Sequence, residues 1–451
     1  MENNPKNAKT QTRIAILAMM FLFGMIAFVT NLAAPVGIIW KNQPALQGSN
    51  ALGMMGNMMN FLAYLFMGIP CGHLLNRIGY KKTLLTAIAI GLLGVFVQYL
   101  SGQLLTDSQF LSLPANFFIY LAGAFIAGIS VCMLNTAVNP MLNLLGGGGN
   151  RGNQLILWGG TLNSLLGTLT PMLVGLLIGT VTAQTAISDV NPILYIAMAV
   201  FALTFLILAR IPLEEPQAPA TAQSQDLTAS ESQAHSPWLF LHFRLGAIAI
   251  FCYVGTEVGI PGTLNFFLSD TTAAGAGLDP ARAAAIGGFA AGTYWLLMLV
   301  GRVIGGLIAN KISSRTMIAC ANALGILLIL LAILLPQSLQ TSVPIFTGSG
   351  FALTVIPACA LPLILCGLCT SVMWSCIFNL ATEGLGKYTQ MASGIFMTMV
   401  VGGGFMPVLQ NILADNVGYM ISFVIPACSM FYMLLYGCFG SKNVNRDIPV
   451  E

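Results

Sequence analysis

The chain has 451 residues, of which 57% are hydrophobic and only 7% are charged. Soluble domains carry about a quarter charged residues, so this composition excludes a soluble globular protein and indicates a membrane protein. The formal net charge of +3 is small and gives no argument for a nucleic-acid partner.

Apolar stretches recur along the whole chain. A helix needs roughly 20 apolar residues to cross a bilayer, and by this measure we predict about twelve spans in an all-α membrane protein. The first apolar stretch is too long for the core of a signal peptide and is taken as a span. The predicted spans are 14–39, 50–75, 83–102, 116–138, 153–179, 192–211, 241–268, 283–309, 316–335, 353–381, 389–411 and 418–439.

Lysine and arginine are distributed unequally between the two sides of these spans. Of the seventeen, Lys41 and Arg282 lie on one side, Arg302 lies within a span, and the others lie on the side of the N-terminus. The positive-inside rule therefore predicts that both termini are cytoplasmic. The predicted organisation is a cytoplasmic N-terminus at 1–13, a helical half at 14–211, a cytoplasmic linker at 212–240, a second helical half at 241–439 and a cytoplasmic tail at 440–451.

The two halves contain an internal repeat. GHLLNRIGYKK, which begins at Gly72, corresponds to GLIANKISSRT, which begins at Gly306. Gly167 and Pro171 in the fifth span likewise correspond to Gly403 and Pro407 in the eleventh. Two duplicated six-helix halves are typical of transporters that work by alternating access, with a binding site near the middle of the bilayer.

The repeated loop, Gly-x-x-x-Asn-Arg/Lys, resembles the signature loop of the major facilitator superfamily. The resemblance implies two pseudo-symmetric six-helix bundles, with a cytoplasmic gate that includes Asn76, Arg77, Asn310 and Lys311. The family usually has Asp where Asn76 and Asn310 stand, so this gate lacks a charge that normally pairs across it.

Further stretches resemble the fucose, glucose/galactose and N-acetylglucosamine branch of that superfamily, the bacterial sugar-cation symporters. They are NFLAYLFMGIPCGHLLNRIGYKK, LNTAVNP, YVGTEVGIPG, NLATEGLGKYTQMASG and MPVLQNILAD. This resemblance implies secondary active transport of a small neutral sugar, such as a hexose, deoxyhexose or N-acetylhexosamine, across the bacterial inner membrane. A coupling cation, H⁺ or Na⁺, is also implied.

Amide side chains lie within the spans, where residues that face lipid would be apolar. A buried amide needs hydrogen-bond partners that lipid cannot supply, so we expect these side chains to face the interior and to bind sugar hydroxyls. Trp374 is expected to cover an apolar face of the sugar. The alternative is that individual amides only bridge helices, which contributes roughly 0.6–2 kcal/mol each. The predicted amides of the substrate site are Asn31, Asn57, Asn60, Asn135, Asn139, Asn163 and Asn379.

Glu257 lies in the middle of the seventh span, beside the helix-weakening residues Gly255, Gly259 and Pro261. A carboxylate at this depth costs about 2.5–3.5 kcal/mol, so we expect Glu257 to bind sugar or the coupling cation. The alternative is a static ion pair. Proton-coupled members of the resembling branch carry carboxylates at the positions of Asn31 and Asn135. Coupling in this chain therefore depends on Glu257, uses another cation such as Na⁺, or is absent.

Arg302 lies within the eighth span, towards its cytoplasmic end. It is interpreted as a gate residue that pairs with a carboxylate or with carbonyl groups. The alternative is a clamp for an acidic sugar or another polar solute, because a guanidinium group binds carboxylates through two parallel hydrogen bonds.

No other chemistry is predicted. The ten cysteines are scattered, and Cys366 and Cys369 are interpreted as packing residues, so no metal site and no cofactor are expected. The sequence shows no cluster of a nucleophile and a base within the spans, so an enzyme is not predicted. Two alternatives for the function stay open: an uncoupled facilitator and a transport-dead sensor. The chain is expected to be a monomer, and another oligomeric state stays open as well.

Overall fold

The computed structural model describes residues 5–46, 48–106, 108–146, 149–178, 185–211, 236–308, 311–346, 351–445 and 448. Within them, twelve helical segments are long and apolar enough to cross a membrane, which confirms the predicted number of spans. Because twelve is an even number, the first span begins and the last span ends on the same side, which we name the terminal side. The opposite side is the far side. Most of the predicted linker, 212–235, lies outside the described residues.

The first half contains six spans. Its second and third spans form a single helix, α3, which is interrupted at Gly79. The backbone there has φ 80° and ψ 173°, a conformation that favours glycine because no Cβ is present. The helices of this half are α1 (Pro5–Asn42), α2 (Asn50–Gly53), α3 (Met55–Leu100), α4 (Ala115–Leu145), α5 (Gly149–Ile178) and α6 (Asn191–Arg210), and the short strands β1 (Gln109–Phe110) and β2 (Leu113–Pro114) join α3 to α4.

The second half also contains six spans, of which the last three are broken into shorter helices. The breaks fall at Ser371–Val372, Val400–Val401 and Phe423, and the β-branched valines at two of them have a low helix propensity. The helices are α7 (Leu241–Ser269), α8 (Pro280–Ile308), α9 (Ser314–Leu334), α10 (Ala360–Thr370), α11 (Met373–Thr382), α12 (Thr389–Met399), α13 (Gly402–Val417), α14 (Tyr419–Ser422) and α15 (Val424–Leu435).

The prediction that a helix begins at residue 353 is wrong. Strands β3 (Gln340–Phe346) and β4 (Phe351–Pro357) form an antiparallel hairpin between α9 and α10, and the helix begins at Ala360. Val343, Ile345 and Val355 are β-branched residues that favour strands, and the apolar character of this stretch is common to strands and membrane spans. Length and hydrophobicity alone do not distinguish an apolar strand from the start of a membrane-spanning helix.

Each half packs against the other through a glycine-containing helix of the internal repeat. On α5, the carbonyl oxygen of Pro171 lies against Gly288 of α8. On α13, Gly404 lies against Met58 of α3. The two repeated segments thus occupy equivalent places, and each faces the opposite half. This symmetry supports the interpretation of the repeat as a duplication.

The contact at Gly288 leads to a prediction about stability. In Gly288→Ala, the new Cβ would clash with the Pro171 carbonyl oxygen, and overpacking of this kind costs about 1–3 kcal/mol. We therefore expect a lower melting temperature in detergent. The matched control is Gly306→Ala in the same helix, where no atom lies within 4 Å of the added Cβ. Equal melting temperatures for both variants would contradict the inferred packing.

Candidate functional site

Glu257 and Arg302 form an ion pair inside the second half. Nη2 of Arg302, on α8, lies 3.4 Å from Oε1 of Glu257, on α7. The side chain of Arg302 is only 26% exposed and that of Glu257 only 13%. Charged groups removed from water in this way require partners, and each supplies the charge that the other needs. The two charged residues that lie deepest within the predicted spans are therefore brought together.

The same guanidinium group also binds the first half. Nη1 of Arg302 donates hydrogen bonds to Oγ of Ser164 (2.7 Å) and to the carbonyl oxygen of Gly160 (3.2 Å), both on α5. Gly160 and Ser164 are four residues apart and so lie on one face of that helix. Arg302 therefore connects helices of both halves at one point.

Aromatic and amide groups lie along the helices that hold this ion pair. Tyr253 lies one helical turn before Glu257, and its ring centroid is 6.1 Å from that of Trp374 on α11. Further along the same face of α5, Gly167 lies opposite the Asn31 amide and the Trp295 ring. Aromatic faces and amide groups beside a charged pair are the kinds of group that bind the apolar and the hydroxyl faces of a sugar.

Three more predicted amides lie in the interior of the first half and are partly exposed. Nδ2 of Asn163 donates to the Phe23 carbonyl oxygen of α1 at 3.0 Å. Nδ2 of Asn135 donates to the Tyr64 hydroxyl at 2.7 Å, and Asn139 donates to the Asn135 carbonyl oxygen at 2.9 Å. Asn163 and Asn135 thus bridge helices, as the alternative interpretation expects, while part of each side chain stays accessible.

The remaining three predicted amides are not brought to the ion pair. Asn57 is buried, and its Nδ2 donates to the Gly403 carbonyl oxygen at 2.8 Å, so it bridges α3 and α13. Asn60 is buried within the first half. Asn379 is exposed on α11, on the same face as Ser375. Their predicted contact with substrate gains no support from this arrangement.

The predicted gate residues are only partly described. Arg77 and Lys311 are exposed, while the Asn76 side chain and all of Asn310 lie outside the described part of the chain. Arg302 pairs with a carboxylate and a carbonyl group, as the gate interpretation expects. Its carboxylate partner is the central Glu257 and not a residue of the repeated loops. The thiols of Cys366 and Cys369 are buried, and the described residues contain no group of three or more potential metal ligands.

A second charged cluster, absent from the sequence-based prediction, joins the two halves on the far side. We name it the far-side network; it consists of Lys41, Asn50, Asp270, Asp415 and Tyr419. Nζ of Lys41 donates to Oδ1 of Asn50 and to the hydroxyl of Tyr419, both at 2.8 Å, and lies 3.7 Å from Oδ2 of Asp270. It also lies 5.3 Å from the centroid of the Phe266 ring, within the range of a cation–π contact.

Asp415, at the end of α13, completes this network. Its carboxylate accepts hydrogen bonds from Oγ of Ser49 (2.7 Å) and from the backbone N–H groups of Asn50 (2.8 Å) and Ala51 (3.0 Å). An acidic residue from the second half thus satisfies free N–H groups at the start of α2 in the first half. The far side of the protein is closed by these contacts.

Asp270 stays charged at neutral pH. Burial raises the pKa of its carboxyl group, but the Lys41 ammonium and hydrogen bonds from Thr272 and Tyr419 outweigh burial and hold that pKa below its usual value. Because the pKa is lowered in the closed network, the Asp270 carboxylate stabilises this network fully at pH values above the ordinary carboxyl pKa of about 4. The stabilisation is lost as the pH falls below that value and through the lowered pKa.

The sequence held one signal for this network. Lys41 follows directly on an apolar span and is one of two cations on the far side. That position indicates a buried charge in need of a partner. Its partners in the second half, Asp270 and Tyr419, lie more than 200 residues away, and no spacing rule connects them to Lys41.

Two duplicated helical halves that meet at an internal polar site define a multi-pass membrane protein with transporter architecture. The sequence pattern of the Major Facilitator Superfamily matches residues 16–400, and the chain belongs to that family.

Individual relatives agree with this assignment. The chain is 29% identical to a glucose/galactose transporter of Brucella abortus over 455 aligned positions, which cover 98% of each chain. It is 26% identical to a putative glucose/galactose transporter of Helicobacter pylori, with 97% of this chain and 98% of the relative covered. A crystal structure of the Escherichia coli fucose:proton symporter aligns with a TM-score of 0.65 at 18% identity, over 96% of this chain and 100% of that one, and supports the fold.

The far-side network leads to a prediction about conformation. In Lys41→Met, Asp270 loses its cationic partner, and breaking a buried ion pair costs on the order of 3 kcal/mol. We expect the far side to open, which lengthens the distance between spin labels at Gln109 and Ala273 measured by pulsed electron paramagnetic resonance. The labels require a background in which the exposed cysteines are replaced.

Arg282→Met is the matched control, because Arg282 is the other far-side cation and is exposed. We expect its label distances to equal those of the parent. Unchanged distances in Lys41→Met as well would show that the network does not hold the far side closed.

Proposed function

We propose that this protein is a secondary active transporter that moves a small neutral sugar across the bacterial cytoplasmic membrane by alternating access. Hexoses, deoxyhexoses and N-acetylhexosamines are the candidate substrates. The proposal draws support from the glucose/galactose transporters that are 26–29% identical over nearly the whole chain. In this proposal the terminal side is cytoplasmic, and the far-side network closes the exit to the outside.

The Glu257–Arg302 pair carries the argument for a neutral substrate. The two side chains balance each other's charge, with 3.4 Å between Nη2 and Oε1. An acidic sugar would have to displace Glu257 from Arg302 and leave that carboxylate buried without a partner, which costs several kcal/mol. A neutral sugar needs only hydrogen bonds, which Asn31, Asn163 and the ion pair can supply.

The same pair suggests how cation binding is coupled to movement. In our proposal, a proton or Na⁺ that binds Glu257 neutralises it and weakens its attraction for Arg302. Arg302 still holds Ser164 and Gly160 of the first half through its Nη1 atom. Cation binding would therefore change how α7 is held relative to α5 and α8. This makes Glu257 the coupling carboxylate in place of those absent at Asn31 and Asn135.

The proposed function is tested by uptake into proteoliposomes. Neutral and acidic sugars are supplied under imposed proton and sodium gradients, one at a time. We expect neutral sugars to accumulate under one of the two gradients, and acidic sugars to compete weakly. Transport that only equilibrates neutral sugars would identify an uncoupled facilitator. Stronger competition by acidic sugars would favour Arg302 as an acid clamp, and binding without uptake would favour a sensor.

Glu257→Gln tests the coupling role separately. The amide keeps the shape of the side chain but has no titratable proton and no negative charge to attract a cation, so accumulation against a gradient should be abolished while exchange of sugar across the membrane persists. Uptake and counterflow in the same vesicles measure the two activities. The control is Glu383→Gln, because Glu383 is an exposed acid of the same half that lies 3.6 Å from Arg315. Undiminished accumulation by Glu257→Gln would exclude Glu257 as the coupling residue.

A further inference from the structure

The hairpin formed by β3 and β4 presents an apolar face to its surroundings on the far side. Phe351 and Leu353 are 72% and 77% exposed, and Val355 is exposed as well. In the hairpin register, Leu353 is opposite Pro344 and Val355 is opposite Ser342, so one face carries these residues together. The opposite face holds Ile345 and Ile356, which are buried against the protein.

This connection differs from the others on the far side in its lack of charge. The sequence from Thr316 to Thr382, which contains α9 from its third residue onward, the hairpin, α10 and α11, has no Asp, Glu, Lys, Arg or His. Every other far-side connection contains a charged residue or has one in the last turn of the helix before it; these residues include Lys41, Asp107, Asp189, Asp279 and Asp415. An uncharged hairpin with exposed Phe and Leu is poorly suited to water and well suited to the edge of a bilayer.

The hairpin packs on the side of α8 that faces away from the bundle. The Phe351 ring lies edge-on to the Phe289 ring, with 6.3 Å between centroids. Four residues of α8 lie on the same helix face as Phe289, because they follow it by 7, 11, 14 and 18 positions and these intervals are close to whole turns. All four are exposed: Leu296, Val300, Val303 and Leu307. In a multi-pass membrane protein, such an exposed apolar stripe is the lipid-facing surface.

Helix α9 also carries exposed apolar side chains. Leu327, Leu331 and Leu334 are exposed, and Leu339, just before β3, is exposed as well. The apolar face of the hairpin therefore adjoins the lipid-facing stripe of α8 and follows the exposed leucines of α9 in the chain. A cover over the central opening would instead lie against the face of α8 that carries Arg302.

We propose that the β3–β4 hairpin binds the lipid leaflet on the far side, with Phe351, Leu353 and Val355 inserted at the boundary between headgroups and acyl chains. The hairpin lies at this boundary and not deeper, because its two outer edges carry backbone groups that need headgroups or water as partners. Such binding would anchor the α9–α10 end of the second half to the leaflet.

Tryptophan fluorescence of the intact protein in lipid nanodiscs tests this proposal. Leu353→Trp, and Val355→Trp as a second variant, place the reporter on the apolar face. The control is Ala273→Trp, because Ala273 is exposed in the far-side loop between α7 and α8, close to the charged Asp270. The emission of the parent protein is subtracted in each case. The quenchers are lipids brominated near the top of the acyl chain, and aqueous acrylamide.

For an interfacial hairpin, brominated lipid should quench Leu353→Trp at least about twofold more strongly than Ala273→Trp, and acrylamide should show the reverse order. Equal quenching of both variants by acrylamide would overturn the proposal, since the hairpin would then lie in water. Protection of Leu353→Trp from both quenchers would also overturn it and would indicate that a second copy of the chain covers this face.

Discussion

The requirement that a buried charge has a partner determines how the two halves of this protein meet. Arg302 satisfies this requirement with Glu257 of its own half and with Ser164 and Gly160 of the other half. In a medium of low polarity, each of these contacts is stronger than it would be in water, and the loss of any one is correspondingly costly. The guanidinium group is suited to this position because its planar fork presents several donors in different directions.

The far-side network follows the same rule at the edge of the membrane. Lys41 belongs to the first half, while Asp270, Asp415 and Tyr419 belong to the second. Both charged clusters therefore span the boundary between the halves, one at the centre and one at the far side. For a transporter that alternates between two openings, such contacts have to break and reform, and polar contacts that water can replace are better suited to this than a large apolar interface.

Glycine contacts supply the other part of the boundary. Gly288 on α8 and Gly404 on α13 allow backbones of opposite halves to lie close together. Association of helices in lipid depends on this close packing, because the lipid tails are as apolar as the helices themselves. The Gly-x-x-x-Pro segments of the repeat thus have a structural role on both sides of the molecule.

The residues of the central site illustrate the limits of prediction from sequence. Glu257 and Arg302 stand out individually, because each is a charge within an apolar span. A paired charge is the alternative interpretation of Glu257 and the favoured interpretation of Arg302, but neither interpretation identifies the partner. Of the amides, Asn31, Asn135, Asn139 and Asn163 are partly exposed in the interior, whereas Asn57 and Asn60 are buried in helix contacts. Periodicity places a residue on a helix face, but it does not reveal which neighbour that face meets.

The amino-acid sequence by itself determined the membrane class, the number of spans, the duplication and the charged residues within the spans, since hydrophobicity and charge act locally and follow the lipid environment. Only the tertiary structure decided that Arg302 reaches Ser164, that Lys41 meets Asp270, and that residues 351–357 form a strand. These outcomes depend on which distant segments pack together. The free energy of each such contact depends on two residues that are distant in the sequence, so it cannot be inferred from any single stretch of the chain.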